Sequence, residues 1–455
     1  MILTILLGLA GLGLVVLVHE LGHFAAARAV GVEVEAFSIG WGPRLFGWKR
    51  GATEWRVSAF PIGGYCRMKG EEDFRKAVAE KSETIPREPG TFYGASPWKR
   101  IAIALSGPVA NVVFAAVVFV AVSAVGYTVR TSGNRIVLAS EFSLDGKPAP
   151  TGLPADAGGL KSGDRVVAAN GKPVRDYADL QEVIALNPEE RLDFAVERDG
   201  ARLDLAVTPR MDKSSGAGRI GIYAWTEPLV EGVVAGSAAD IAGVKEGDRV
   251  VSVGGEPVRH AIELLSRLSA RPERVVLGLD RRGESVEARL VLSYEGGGSN
   301  LGLSFATLPH TVKSESLGLA FSDGLRETWK TFSISVQGLG LLFRGVDVFK
   351  AISGPARITW LVGSTASEGM AESGANGLVV AFNFLGFLSI GLFIMNLLPI
   401  PALDGGMILM FAIEGARRKP LRTKTVYRFQ FIGMAFILAL FVLATVSDLI
   451  FFAGK

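Results

Sequence analysis

The sequence predicts a multi-pass α-helical membrane protein with four transmembrane helices, a repeated α+β insert and a β-rich loop. Three observations predict it. Four charge-free blocks, each long enough to cross a bilayer, occur in 455 residues. The stretch between the second and third blocks repeats itself at a fixed offset. Basic residues cluster in two short connections. Composition agrees: 49% of residues are hydrophobic and only 20% charged, against about 25% charged in average soluble domains. This excludes a disordered chain. A net charge of +3, dispersed along the chain, excludes a nucleic-acid partner. The single cysteine, Cys66, excludes a disulfide framework and a cysteine-rich zinc site.

Residues 1–30 form the first span. It lacks a basic leader and a small-residue cleavage site, so it reads as retained rather than as a signal peptide. Residues 31–97 form a β-rich loop holding Arg44, Lys49, Arg50, Arg56 and further basic residues. The second span, 98–129, lies within the 29 uncharged residues between Arg100 and Arg130 and their flanks. The insert divides into units 130–212 and 213–308. Region 309–372 is juxtamembrane, with an amphipathic helix expected over 316–350. Its uncharged run between Lys330 and Arg344 is only 13 residues, too short to cross. Residues 373–404 form the third span, 405–424 a basic loop and 425–453 the fourth span. The two basic loops share a side, predicted cytoplasmic. Both termini and the insert are then expected outside.

The repeat is explicit. Gly159-Leu-Lys-Ser-Gly-Asp-Arg-Val-Val recurs as Gly243-Val-Lys-Glu-Gly-Asp-Arg-Val-Val, 84 residues on. A short helical pattern follows each copy, at 176–186 and 260–270. Hairpins with turns at Asp199-Gly200 and Arg282-Gly283 follow those. The shared GxxxGDRVVxxxGxPV pattern resembles a PDZ domain, in tandem. Such domains bind extended chain ends by strand addition. Arg219-Ile220-Gly221-Ile222 is expected in the second copy's carboxylate-binding loop, with Gly221 and Ile222 at the peptide groove. The first copy's counterpart is expected near Asn134 to Val137. Empty grooves serving as spacers or steric gates are the alternative.

The chemistry is expected in the first span. His19-Glu20-Leu21-Gly22-His23 is an H-E-x-x-H motif. On a helix, positions i and i+4 share one face, so both imidazoles can bind one zinc ion. Glu20 can act as the base toward water at that metal. Ionisable groups inside a span are costly and usually functional. The third ligand is not local: 24–30 offers no histidine, and His260 and His310 lie in the outer region. Asp404 is the candidate, because spans one and three run in the same direction and end at the same face. The prolines at 399 and 401 break helix there, which membrane depth tolerates inside protein or along a wet cavity.

HELGH in span one and Asn396-Leu-Leu-Pro-Ile-Pro-Ala-Leu-Asp-Gly-Gly in span three resemble the site-2 protease family of intramembrane zinc metalloproteases. The tandem PDZ insert resembles that family's bacterial regulator of sigma-E protease branch. Phe37–Gly42, Pro61–Tyr65, Ser106–Asn111 and Ser353–Pro355 are similar to the family too. The resemblance covers nearly the whole chain in the same order. It implies one Zn2+ per chain held by His19, His23 and Asp404, with Glu20 as general base. It implies that Asn396 and Pro399 help hold the substrate backbone, and that Gly40 and Gly42 belong to a membrane-dipping loop. Cys66 stands where relatives usually have valine. The implied substrates are single-span membrane proteins such as anti-sigma factors, already trimmed by a site-1-type protease, with leftover signal peptides second. The implied setting is the bacterial inner membrane and a stress-response step of regulated intramembrane proteolysis. The opposing class is a non-catalytic PDZ-bearing membrane adaptor, against which the complete motif set argues.

Overall fold

The structure, a computed structural model, describes residues 2–453 except 145, 214, 295–298, 342–352 and 374. The chain divides into two compact units, residues 1–127 with 311–455, and residues 128–310.

The first unit is helical around one β hairpin. Its helices are α1 (Ile2–Ala29), α2 (Glu71–Ala79), α3 (Pro97–Val125), α4 (Leu317–Leu341), α5 (Pro355–Ser373), α6 (Ala375–Leu397), α7 (Asp404–Arg417) and α8 (Thr423–Ala453). Among the described residues, α1, α3, α6 from Gly377, and α8 are long and apolar enough to cross a membrane. The helices pack through small residues, as helices in lipid do. A Cβ on Gly22 of α1 would stand 2.4 Å from the Ser106 carbonyl oxygen of α3, so these two helices touch nearly backbone to backbone. β1 (Val34–Arg50) and β2 (Thr53–Met68) pair antiparallel, with Phe37 opposite Cys66 and Trp48 opposite Trp55. Bulges interrupt the register between Ile39 and Phe46. Trp41, Leu45, Phe46, Trp48 and Phe60 stand exposed on this hairpin. So large an apolar surface marks a partner or a membrane.

The second unit holds two modules with one topology. Each has a four-stranded antiparallel sheet, ordered 172–173, 165–169, 192–198, 201–207 in the first module. The second is ordered 256–257, 249–253, 274–281, 284–291. Helices Tyr177–Leu186 and Ala261–Leu268 occupy matching places. Both hairpin turns have positive φ at two successive residues, Asp199-Gly200 and Arg282-Gly283, which suits the twist of two-residue hairpins. Each module has its own core, centred on Leu180, Leu192 and Val196, and on Leu264, Leu277 and Leu279. The same ion pair recurs in both. Arg198 grips the buried Asp164 at 2.7 and 2.8 Å, and Arg281 grips Asp248 likewise.

Four features differ from the expectations. The helix expected to run through 404 ends at Leu397, because Pro399 and Pro401 cannot donate backbone hydrogen bonds. Asp404 instead opens α7, so much of the expected 405–424 loop is helix. The juxtamembrane region contains a second helix, α5. The Asp448 carboxylate of α8 caps it, accepting from Gly354 N at 2.7 Å and Ala356 N at 3.0 Å. Residues 342–350 of the expected amphipathic helix lie outside the described residues. Last, Arg219–Ile222 belongs to the first module, not the second. Ile222–Ala224 pairs with Ile136–Leu138, and Ile220 is buried in the first core. The boundary expected at 213 therefore falls later. The second module's counterpart is Asn300-Leu301-Gly302-Leu303: Ala155 N donates to Ile220 O, and Ala238 N and Ala239 N donate to Asn300 O and Leu301 O.

Candidate metal centre

Helix α1 sets His19 and His23 one turn apart on a buried face, with their Nε2 atoms 3.1 Å apart. The turn after α6 brings in the third group. Ile400 N closes on Leu398 O, and Ala402 takes a left-handed φ of 75° that non-glycine residues rarely adopt. The carboxylate of Asp404, first residue of α7, then reaches both rings. Oδ2 lies 3.2 Å from His19 Nε2, and Oδ1 lies 3.5 Å from His23 Nε2. One ligand atom from each of the three residues falls within 4.8 Å of the others. Glycine is required just behind: a Cβ on Gly405 or Gly406 would stand 2.2 Å from the Leu397 or Ile400 carbonyl oxygen.

Helix α3 supplies the surroundings. His23 Nδ1 lies 2.8 Å from the Ile103 carbonyl oxygen, which can only accept. The His23 proton is therefore on Nδ1, and a lone pair on Nε2 faces the cluster. His19 Nδ1 lies 3.3 Å from the side-chain amide of the fully buried Asn111. The amide oxygen of Asn111 is buried without a partner. A half-turn of that amide pairs its oxygen with the His19 Nδ1 proton and frees Nε2 in the same way. Two nitrogen lone pairs and a carboxylate then converge on one point, an arrangement a cation stabilises. Two imidazoles, one carboxylate and one open position fit catalytic zinc. Ser389 Oγ donates to the Asn111 backbone oxygen at 2.9 Å and helps fix that helix.

The cluster opens into a cavity of about 520 Å³ that is also lined by Glu20, Trp41, Cys66 and Asn396. A Cβ on Gly64 would lie 3.6 Å from Glu20 Cγ, so this strand passes close to the Glu20 side chain. The structure thus gathers His19, Glu20, His23, Asn396 and Asp404 at one cavity. Gly40, Gly42 and Pro399 do not line it, although Trp41, between the two glycines, does. Gly221 and Ile222 lie elsewhere, in a first-module groove of about 660 Å³ with Leu153, Tyr177, Ile184 and Arg219. Sequence reasoning assigned no role to Ile103, Gly107 or Asn111. Asn111 did carry a signal, an amide in the middle of an apolar span. A backbone carbonyl such as that of Ile103 carries none.

Residues 7–440 match the family model described as peptidase family M50. A Treponema pallidum protein with a provisional zinc-metalloprotease name is 39% identical, over 99% of each chain. The regulator of sigma-E protease RseP of Escherichia coli is 30% identical, over 97% of each chain. Metalloprotease MmpA of Caulobacter vibrioides is also 30% identical, over 96% of this chain and 93% of its own. A match that spans the helices, the insert and the His–Asp cluster together leaves one assignment: the chain belongs to peptidase family M50, the site-2 protease family of zinc metalloproteases.

Proposed function

We propose that this protein cleaves peptide bonds within or beside the transmembrane segment of single-span membrane proteins. The observation that carries this reading is a cluster of three side chains able to hold one metal ion, its two histidines in an apolar span, with Glu20 at the same cavity. His19, His23 and Asp404 would hold the zinc. Zinc there would supply Lewis acidity, polarising the scissile carbonyl and acidifying the attacking water. Glu20 takes a proton from that water and returns it to the leaving amine nitrogen. Asn396 holds the substrate backbone by its amide. A helical substrate hides its peptide bonds, so it must first unwind. The β1–β2 hairpin, with Gly40 and Gly42 at its bulged part, offers backbone partners to the unwound strand. The aromatic residues of that hairpin seat it in lipid.

The two modules of the second unit are read as tandem PDZ domains on the outer side of a bacterial inner membrane, with both termini. They exclude bulky ectodomains or read a chain end left by an upstream site-1-type protease. Trimmed anti-sigma factors fit this selection first, and leftover signal peptides second. The glycine loops at Gly221 and Gly302 and the matching sheet order support the PDZ reading.

The test is cleavage of a truncated single-span anti-sigma-type substrate by the purified protein. Glu20→Gln keeps the shape and loses the base. Wild type should cut, while Glu20→Gln should retain zinc and lose cleavage by at least ~10²-fold. Chelation should stop wild type and zinc should restore it. A zinc-loaded wild type that cuts none of several such substrates would favour a membrane adaptor instead.

A further inference from the structure

Arg100 and Glu414 form an ion pair that the reaction does not use. Both are buried, Arg100 with 1% of its surface exposed. The guanidinium binds the carboxylate with both terminal nitrogens, at 2.7 and 3.3 Å. Its Nε donates to the Ala95 carbonyl at 3.2 Å, and its face lies 4.5 Å from the Phe411 ring. Arg87 adds a bond to the same carboxylate. Burying two charges is expensive, and an apolar pair of similar size often serves stability as well or better. The geometry suggests what the pair does instead.

Arg100 begins a stripe along α3. One turn on is Ile103, whose carbonyl oxygen holds His23; two turns on is Gly107, against both imidazoles; three turns on is Asn111, on His19. Glu414 ends a stripe along α7 that runs Asp404, Met407, Phe411, Glu414. The two stripes face each other antiparallel. Asp404 meets the histidines at one end, and Glu414 meets Arg100 at the other. Ten residues of helix, about 15 Å, separate the two contacts. At its own start α7 is tied back to the proline turn: Met407 N donates to Leu403 O, and Gly405 and Gly406 pack on the Leu397 and Ile400 carbonyls. A bidentate fork fixes both rotation and translation of a helix, which an apolar contact does not.

We propose that Arg100 is a positioning residue: through Glu414 it sets the register of α7 on α3 and so holds Asp404 against the histidine pair. The proposal rests on the metal-centre reading above. The test uses full-length protein in lipid nanodiscs. It measures zinc affinity by competition with a chromogenic chelator, the visible spectrum of the cobalt-loaded protein, and thermal melting. The variants are Arg100→Met with Glu414→Leu, Arg100→Lys, and Asp404→Asn.

The double variant should melt close to wild type, bind zinc at least ~10-fold more weakly and lose the sharp tetrahedral cobalt band. Arg100→Lys, which keeps charge but not the fork, should fall between. Wild-type affinity and spectrum in the double variant would overturn the proposal. If the double variant does not fold, Arg100→Lys decides by the same two readouts. Asp404→Asn binding zinc as wild type does would remove the metal-centre reading, and the proposal with it, by a distinct signature.

Discussion

Gly107 faces His23 so closely that a methyl group on its α-carbon would stand 2.4 Å from Nε2, and 2.8 Å from His19 Cε1. No side chain fits there without moving the histidines. Gly107→Ala should therefore spare the fold and disturb the centre. We expect zinc affinity to fall ~10–100-fold, the range seen when the support of a metal site is altered. Zinc content of the purified variant, set beside its melting temperature, checks this. Full zinc occupancy would mean that α3 shifts to make room.

Asn111 gives a second handle. Its amide is the polar partner of His19 Nδ1 in an apolar surround. Asn111→Leu keeps the volume and leaves His19 free to choose its tautomer. Zinc affinity should drop ~10-fold or more. Asn111→Asp should keep the hydrogen bond and retain more of the affinity. Equal loss in the two variants would argue for packing rather than hydrogen bonding.

These two residues also show how far the sequence could be read. The spans were legible because charge is excluded from lipid, and four uncharged blocks stand out without any structure. His19 and His23 were legible because the helix period puts them together. Asp404 was legible from span parity, but its setting was not: whether a proline turn ends a helix or starts another depends on what packs behind it. Here that is the backbone of Leu397 and Ile400 against Gly405 and Gly406. The repeat was legible as a repeat. The owner of Arg219–Ile222 was not, because strand pairing with Ile136–Leu138 is a long-range choice that local pattern does not encode.

The duplicated ion pair predicts a local cost. Asp164 is 1% exposed; Arg198 bonds both of its oxygens, and Lys161 N donates to Oδ2 as well, at 2.8 Å. Arg198→Met leaves a buried carboxylate half satisfied and should destabilise the first module by about 1–3 kcal/mol. Adding Asp164→Asn should recover part of this, because the orphaned charge is then gone. Thermal melts of the full chain, single variant against double, check the order. A double variant less stable than the single would contradict it.

His260 should make the second module sensitive to acid. In the first module Asp176 caps the helix start, accepting from Asp179 N at 2.9 Å. The matching residue in the second module is His260, whose Nδ1 accepts from Glu263 N at 3.4 Å. Accepting there requires a neutral ring with its proton on Nε2. The ring is fully buried, 4.5 Å from Trp225 and 5.2 Å from Phe142 by ring centres. Burial pushes its pKa down. Glu263 and Glu227 oppose this, and Arg259 and Arg135 reinforce it. A histidine whose pKa is lower folded than unfolded takes up its proton more readily in the unfolded chain. Stability is then complete above the unfolded value of about 6.5, and falls as pH drops toward the folded one. His260→Asn keeps a capping side chain and cannot titrate in that range. The melting temperature of the wild type should fall as pH drops below about 6.5, where the imidazole of the unfolded chain takes up its proton, and His260→Asn should flatten that fall. The same slope in both proteins would assign the acid sensitivity to another group.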